Sequence, residues 1–491
     1  MYGAMTPKWE AKSLEKWTSL LPSCKKTANL STIEEQLLRN NVKYCLPAFV
    51  DMHGVPKTKL VPVDHARSMC QGSELFTGAA LDGVPQDVSD NEVMAVGDAP
   101  LFMHLPYQRD VAWFPASLYL NGSPFEACSR NIFARAAEKA KSMNLLMKLG
   151  IEAEFFVFRQ DDGMKPVSRL ADLEKPCYDA GAMQPVSCLP NLQKPAYDLV
   201  RLLDNIHWLD ELVSSMQELG WGVYSFDHED GIGQVEIDFN FCEAGEMADR
   251  FVLLRSMANA IARKHGAYAT WMAKPMAERT GSGAHLNISM HDFDSEANVF
   301  KDQADPKGLG LSKMAYSFLA GMLKHLPAIT AVACPTVNSY KRLVKQGSMS
   351  GFTWSPIFQT YGDNNRTNAI RIPAPGRLEL RAADPMYNPY LVSALILQAG
   401  LQGIEQQLEP GEPFRENMYL KSQDELDAAG VQYLPRTLSE AVEAFAQDDL
   451  ARQTFGAAMH DAWVEFKRKE WLSYLHHVSD WEKERYLHMF V

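Results

Sequence analysis

The chain lacks several things, and each absence removes a class of function. No run approaches the ~20 apolar residues a membrane-spanning helix needs. The most apolar stretch, residues 391–401, is interrupted by Ser393, Gln398 and Gly400. The opening residues, MYGAMTPKWE, carry no apolar core of the secretory kind. There is no excess of basic charge: 48 Lys and Arg stand against 61 Asp and Glu, for a net charge of −13. That argues against general nucleic-acid binding, which needs a basic face, but local arginines still allow an anionic substrate. The 8 cysteines are scattered, with no C-x-x-C pair, so reduced thiols in a cytoplasm are expected. There is no G-x-x-x-x-G-K-[ST] loop, no kinase-type glycine-rich loop and no internal repeat.

What is present is a chain of 491 residues with 46% hydrophobic and 22% charged residues, enough for two or three globular domains. Residues 1–30 read as a polar N-terminal extension. Residues 31–130 read as a small α+β domain, with a strand from Tyr44 turning at MHGVP and returning over 57–63. Residues 131–491 read as one large domain of strands and long helices. Apolar residues at helical spacing predict helices over 131–144 and 246–265, the second closed by Gly266. The last sixty residues are expected to be helical.

Five short segments carry the chemistry. GIEAEFF (150–156) places Glu152 and Glu154 on one strand face. GQVEIDF (233–239) does so for Gln234, Glu236 and Asp238, and HLNISM (285–290) for His285, Asn287 and Ser289. AIRIP (369–373) presents Arg371, and RLELR (377–381) presents Arg377, Glu379 and Arg381. In each, aliphatic or aromatic residues fill the opposite face, as period-2 alternation requires. A merely solvated face is usually rich in Lys and Thr; these strands hold no lysine. Glu229, in FDHEDG, adds a carboxylate just before the second segment. So many acids side by side either raise one another's pKa or recruit a cation. Oxygen donors with one histidine suit Mg²⁺ or Mn²⁺. Arg342, Arg366, Arg371, Arg377 and Arg381 fall within forty residues, and guanidinium forks suit phosphate and carboxylate oxygens. Acid-bound metals facing arginines are the parts for phosphoryl transfer.

These segments resemble those of the glutamine synthetase family. EAEFF, HEDGIGQVE, Lys274-Pro followed by GSGAH, PTVNSYKRL, NRTNAIRIP, and RLELR followed by NPYL occur in the family's order over about residues 33–485. The resemblance implies a small N-terminal β-grasp-like domain and a large catalytic domain with a curved antiparallel sheet flanked by helices. It implies homo-oligomers, typically dodecamers of two hexameric rings with active sites between subunits. It also implies ATP and L-glutamate as substrates, with two or three Mg²⁺ or Mn²⁺ per site. Glu154, Glu229 and Glu236 look like ligands of one metal, and Glu152, His285 and Glu379 like ligands of the metal bridging the ATP phosphates. Gly281, Arg342 and Arg381 resemble the glutamate-binding residues. Arg366 and Arg371 resemble those stabilising the moving phosphoryl group. Phe241, Asn287, Ser289 and Arg377 resemble nucleotide contacts, Asn287 standing where a histidine is usual. Asp51 resembles the aspartate that a neighbouring subunit supplies to bind and deprotonate the nitrogen nucleophile, and Tyr178 a tyrosine of that pocket.

One departure bears on the nucleophile. Glutamine synthetases close the ammonium site with a glutamate in the loop after Lys-Arg-Leu. Here that loop is longer, reads VKQGSMSGFTWSP (344–356), and has no acid between Arg342 and Asp363. An organic amine is therefore expected, with Met349, Phe352 and Trp354 lining its pocket. The wider pattern is most similar to the γ-glutamylmethylamide synthetase-like branch, with γ-glutamylanilide synthetases of similar design. A pocket short of one acid favours an aromatic amine first, then methylamine or another small alkylamine. The alternatives are an ordinary glutamine synthetase using ammonia and a non-catalytic ring homologue.

Overall fold

The computed structural model describes Trp17 and residues 30–159, 195–348 and 351–490. Most of the N-terminal extension, with Tyr178 and Met349, therefore lies outside the described residues, as does the Phe352 side chain.

The first sheet is built on β1 (Tyr44–Val50), β2 (Val93–Gly97) and β3 (Val111–Leu120). β1 runs parallel to β3 with Tyr44 opposite Val111, and β2 pairs antiparallel with β3. The return strand expected over 57–63 is split into Pro56–Lys57 and Val61–Pro62, both antiparallel to β1. Each piece contains a proline, Pro56 or Pro62, that cannot donate to a ladder, so pairing stays short. The expected helix over 131–144 is Ser129–Ser142, α1, burying Ile132, Phe133, Ala136 and Ala140.

The second sheet holds the functional face. In chain order its principal strands are β4 (Leu145–Arg159), β5 (Val223–His228), β6 (Gln234–Phe239), β7 (Ala284–Asp292), β8 (Phe358–Gly362), β9 (Asn368–Ala374) and β10 (Arg377–Leu380). Across the sheet they run β5–β6–β4–β7–β10–β9–β8. Neighbours are antiparallel except β8 and β9, which run parallel. The connection between those two is held by Asn365, whose side-chain amide donates to the carbonyls of Phe414 and Glu416.

Ile151, Ala153, Phe155, Val235, Ile237, Leu286, Ile288, Leu378 and Leu380 are all buried on the back of this sheet. Each large one contributes about 1.5–3 kcal/mol on burial, which lets the front tolerate crowded acids. The long helix α2 (Ala244–Lys264) packs behind, its Phe251 against Trp271, which in turn meets Phe155. The Glu243 carboxylate caps α2 by accepting from the Gly245 and Glu246 amides. Its C-terminus closes at His265, followed by Gly266 at φ +72°, a left-handed position that suits glycine.

A buried ionic knot ties the first sheet to the helices around the second. Arg130, on α1, donates to both carboxylate oxygens of Asp249 at 3.1 Å and also to Asp98, beyond β2. Asp249 further accepts from Trp17 Nε1 and the Tyr390 hydroxyl. Tyr390 lies on α3 (Pro389–Glu405), so first sheet, α1, α2 and α3 meet at one charge cluster.

Candidate active site

Strand register assembles the site. Glu236 stands opposite Glu154 and, on its other side, opposite Asp227. His285 is opposite Glu152. Glu379 is opposite both Asn287 and Arg371. Three rows of polar side chains thus cross six strands on one face, as alternation alone predicts for each strand singly.

They open onto a cavity of about 510 Å³. Buried Arg342, Arg381, His285 and Glu154 line its depth. Glu152, Glu229, Glu236, Gly281, Arg366, Arg371, Arg377 and Trp354 line the remainder, together with Asp227 and Tyr197, which were not anticipated as site residues. Of the anticipated residues, Glu379, Asn287, Ser289, Phe241 and Asp51 do not border it; Glu379 lies fully buried behind the arginines that do. Asn287 donates to Glu152 Oε1 at 2.9 Å, so it acts beneath the site. Ser289 pairs with His291 further along β7. Phe241 lies beside Gly150, whose missing Cβ would stand 3.3 Å from that of Phe241 and 3.7 Å from that of Asn287. It is exposed and borders a second cavity of about 790 Å³ at the seam between the sheets. Asp51 follows β1, its Oδ1 accepting from the His53 and Val55 amides and its Oδ2 3.3 Å from Lys57 Nζ.

Among the described residues, two groups of donors have metal-ligand spacing. Ligand atoms of Glu152, His285 and Glu379 lie within 4.8 Å of one another, and so do those of Asp227, Glu229 and Glu236. The second group contains Asp227 where Glu154 was expected. Glu154 is instead engaged through Oε2, which accepts from the Gly283 amide at 2.8 Å and from Gln234 Nε2 at 3.0 Å. Its Oε1 faces His285 Nε2 at 3.8 Å. Asp227 had little signal in the sequence: it lies two residues before Glu229, but Glu229 falls just past the end of β5, so alternation does not tie the two together.

The acids are held under repulsion. Burial, then Glu154 and Glu229, push the Glu236 carboxyl well above the carboxylate range. Burial and Glu229 raise Asp227 to about 7, and burial and Glu152 raise Asp238 to about 6. Glu152 goes the other way: burial opposes its charge, but the His285 imidazole, Asn287 and Arg381 outweigh it and hold the carboxyl at about 2. Carboxylates that raise one another's pKa, with one imidazole among them, are a donor set that fits a hard divalent cation.

The opposite wall is cationic. Glu379 is fully buried, its two oxygens accepting from Arg371 Nη1 at 2.6 Å and Arg381 Nη1 at 2.5 Å. Arg342 is fixed by the carbonyls of Ala382 and Arg381, and its Nε is buried without a partner among the described residues. Gly281 packs against it: an added Cβ would lie 2.4 Å from the Ala273 carbonyl and 2.9 Å from Arg342 Cγ. At the rim, Trp354 (φ +58°) and Tyr197 (φ +64°) hold left-handed backbone. For a bulky residue that costs about 1–3 kcal/mol and persists where surrounding structure enforces it. The cavity can therefore accept an anion against arginines on one side and a cation against carboxylates on the other.

The chain is similar to known proteins over nearly its whole length. A family profile for the glutamine synthetase catalytic domain matches residues 126–486. A glutamate–methylamine ligase of Methyloversatilis universalis is 37% identical over 462 residues, covering 94% of this chain and 99% of that protein. A glutamine synthetase of Rhizobium leguminosarum bv. phaseoli is 36% identical over 446 residues, covering 90% and 96%. Among solved structures, a GmaS/ADP complex superposes with a TM-score of 0.82 at 35% identity, covering 93% of this chain and 99% of that one. A ligand-free GmaS structure gives 0.81 at 34% identity. The expected fold, a small N-terminal domain with a curved catalytic sheet flanked by helices, is the one found. With the family profile spanning the functional sheet, and likeness to methylamine-ligase relatives running nearly end to end, the chain belongs to the glutamine synthetase family.

Proposed function

We propose that the protein is a carbon–nitrogen ligase that joins the γ-carboxylate of L-glutamate to a small alkylamine, methylamine foremost, with conversion of ATP to ADP and phosphate. The observation that carries this reading is one cavity whose acidic wall (Asp227, Glu229, Glu236) faces an arginine wall (Arg342, Arg366, Arg371, Arg381). Glu152, His285 and Glu379 would hold one Mg²⁺ or Mn²⁺, and Asp227, Glu229 and Glu236 another, supplying Lewis-acid neutralisation of phosphate charge. Arg342 and Arg381 would hold glutamate beside Gly281. The γ-carboxylate oxygen attacks the γ-phosphorus of ATP, ADP leaves, and an acyl phosphate results. Arg366 and Arg371 would stabilise the charge that develops on the moving phosphoryl group. The amine nitrogen, once it has given up its proton, attacks the acyl carbon and displaces phosphate. Phe241, Ser289 and Arg377 would extend the site toward the nucleotide base.

On sequence an aromatic amine ranks ahead of an alkylamine, because the loop at 344–356 lacks an acid. Two observations support the reverse order. Asp227 restores an acid to the cavity, which suits an amine that arrives protonated. The relative similar over 94% of the chain is a glutamate–methylamine ligase. Trp354 would line the amine pocket, with Tyr178, Met349 and Phe352 as further candidates.

Asp51 does not border its own chain's cavity, which supports its action in a neighbouring subunit of a homo-oligomer, read here as a dodecamer of two hexameric rings. Exposed Leu472, Leu475, Trp481, Leu487 and Phe490 give the C-terminal segment an apolar surface suited to subunit contact. Among the described residues no helix is long and apolar enough to cross a membrane; a cytoplasmic site of action is part of the proposal. The test is amine-dependent phosphate release with glutamate and ATP across ammonia, methylamine, putrescine and aniline. Methylamine should have the highest kcat/KM, and glutamine as the dominant product in direct competition would refute the reading.

A further inference from the structure

The second aromatic residue at the cavity rim belongs to no role assigned so far. Tyr197 is 70% exposed although it borders the cavity. Its amide donates to the His228 carbonyl at 2.8 Å, which pins it between Asp227 and Glu229 in space. The charges that act on its phenol are those of Glu229, Asp227, Glu236 and Arg366.

Trp354 is presented in a similar way. Its neighbours Thr353 and Ser355 are buried and tied down, Thr353 Oγ1 donating to the Val344 carbonyl and the Ser355 carbonyl accepting from the Tyr419 hydroxyl. Trp354 itself is half exposed, and its carbonyl accepts from Arg381 Nη2 at 3.5 Å. Two unrelated segments thus spend left-handed backbone to turn an aromatic ring toward one cavity. A ring with no structural duty in a core, held under strain beside carboxylates, is placed for a ligand that is both cationic and carbon-bearing.

We propose that Tyr197 and Trp354 form an aromatic clasp that selects a primary alkylammonium ion over ammonium. This rests on the ligase reading above and deepens it. The acidic wall, which with Glu154 has one carboxylate more than the three a metal ion would take, attracts either ion alike. Only an alkylammonium has a carbon to place against the rings, so only it gains from them. The clasp determines specificity and touches no bond that breaks.

The test compares kcat/KM for methylamine and ammonia at saturating glutamate and ATP, reading γ-glutamylmethylamide and glutamine by mass. Wild type is set beside Tyr197→Ala, Trp354→Ala, Tyr197→Phe and Trp354→Phe. Each alanine variant should lower the methylamine-to-ammonia ratio about two- to fourfold, since burial of the single methyl group is worth about fourfold in all. The loss should lie in the KM for methylamine, with the KM values for glutamate and ATP unchanged. The phenylalanine variants should keep most of the ratio, because the ring and not the hydroxyl or indole nitrogen makes the contact. Both side chains are at least half exposed, so truncation leaves no buried void, and a thermal melt checks this. If the alanine variants leave the ratio unchanged, or slow both amines equally, the clasp is overturned while the ligase reading stands. If wild type itself prefers ammonia, the organic-amine reading fails, and the clasp with it.

Discussion

Replacing Glu379 by glutamine separates a metal ligand from a structural clamp. Glu379 is fully buried and each of its oxygens accepts from a different arginine. The substitution conserves volume but removes the charge and turns one acceptor into a donor. That donor would face Arg371 or Arg381 across about the same short distance, N–H against N–H. Removing one partner of a buried ion pair costs about 3–5 kcal/mol. Arg371 is 12% exposed on its side chain and reaches the cavity, so water relieves part of that, and a loss at the lower end of the range is expected in a denaturant titration. The functional loss should be larger. Misplacing two arginines and one metal donor removes preorganised charge that typically contributes about 10²–10³-fold in kcat for one such group. Phosphate release should fall by at least 100-fold, roughly, with ammonia and methylamine alike. The Mg²⁺ concentration for half-maximal rate should rise about 10–100-fold, as it does when groups around a metal are altered. A merely structural Glu379 would reduce stability and leave the Mg²⁺ requirement unchanged. Folded Glu379→Gln protein with turnover near wild type and an unshifted Mg²⁺ curve would refute the reasoning.

Asp51→Ala should lower turnover of methylamine by about 10²–10⁴-fold, as loss of a general base does, and lower turnover of an arylamine less. Because Asp51 is read as acting in trans, co-assembly of Asp51→Ala with Glu379→Gln subunits should restore activity at about one quarter of sites under random mixing, whereas no recovery would place Asp51 elsewhere. Arg130→Met should destabilise by about 3–5 kcal/mol, because Asp249 then remains buried, and Asp98 partly buried, without their cation; a urea midpoint within error of wild type would contradict that. His325 bonds through Nδ1 to Asp448 at 2.7 Å and through Nε2 to Gln402 at 2.8 Å. Burial lowers its pKa, but these two partners outweigh it and the net shift is upward; Asp448 is shifted downward, against its own burial, chiefly by His325. The histidine's contribution is whole below its unfolded value of 6.5 and is lost as pH rises through the folded one. The aspartate's is whole above 3.8 and is lost as pH falls through its folded one. His325→Gln should therefore lower the melting temperature more at pH 5.5 than at pH 9, and an equal drop at both would show that the imidazole is not charged in the fold.

How much of the site could be read from the chain alone follows from where each residue sits in the sheet. Central strands buried on one face must alternate cleanly, and Glu152, Glu154, Glu236, His285, Glu379 and Arg371 stand out for that reason. β5 lies at the sheet edge, and only His228 among its six residues is buried. With little packing demand, its residues Val223, Tyr224, Ser225 and Phe226 show no strict alternation, and Asp227 does not stand out among them. Register is a second gap: no local pattern says that Glu236 faces both Glu154 and Asp227, because pairing is chosen by the whole apolar back of the sheet. Tyr197 is harder still, since a single long-range bond to the His228 carbonyl places it. These gaps share a consequence for chemistry. Counting acids along the 344–356 loop gives a pocket one charge short and favours a neutral arylamine. Counting them across strands adds Asp227, and the same pocket then suits a protonated alkylamine. On the proposed reading the edge strand supplies a charge that the 344–356 loop lacks, and the preference between amines turns on that charge.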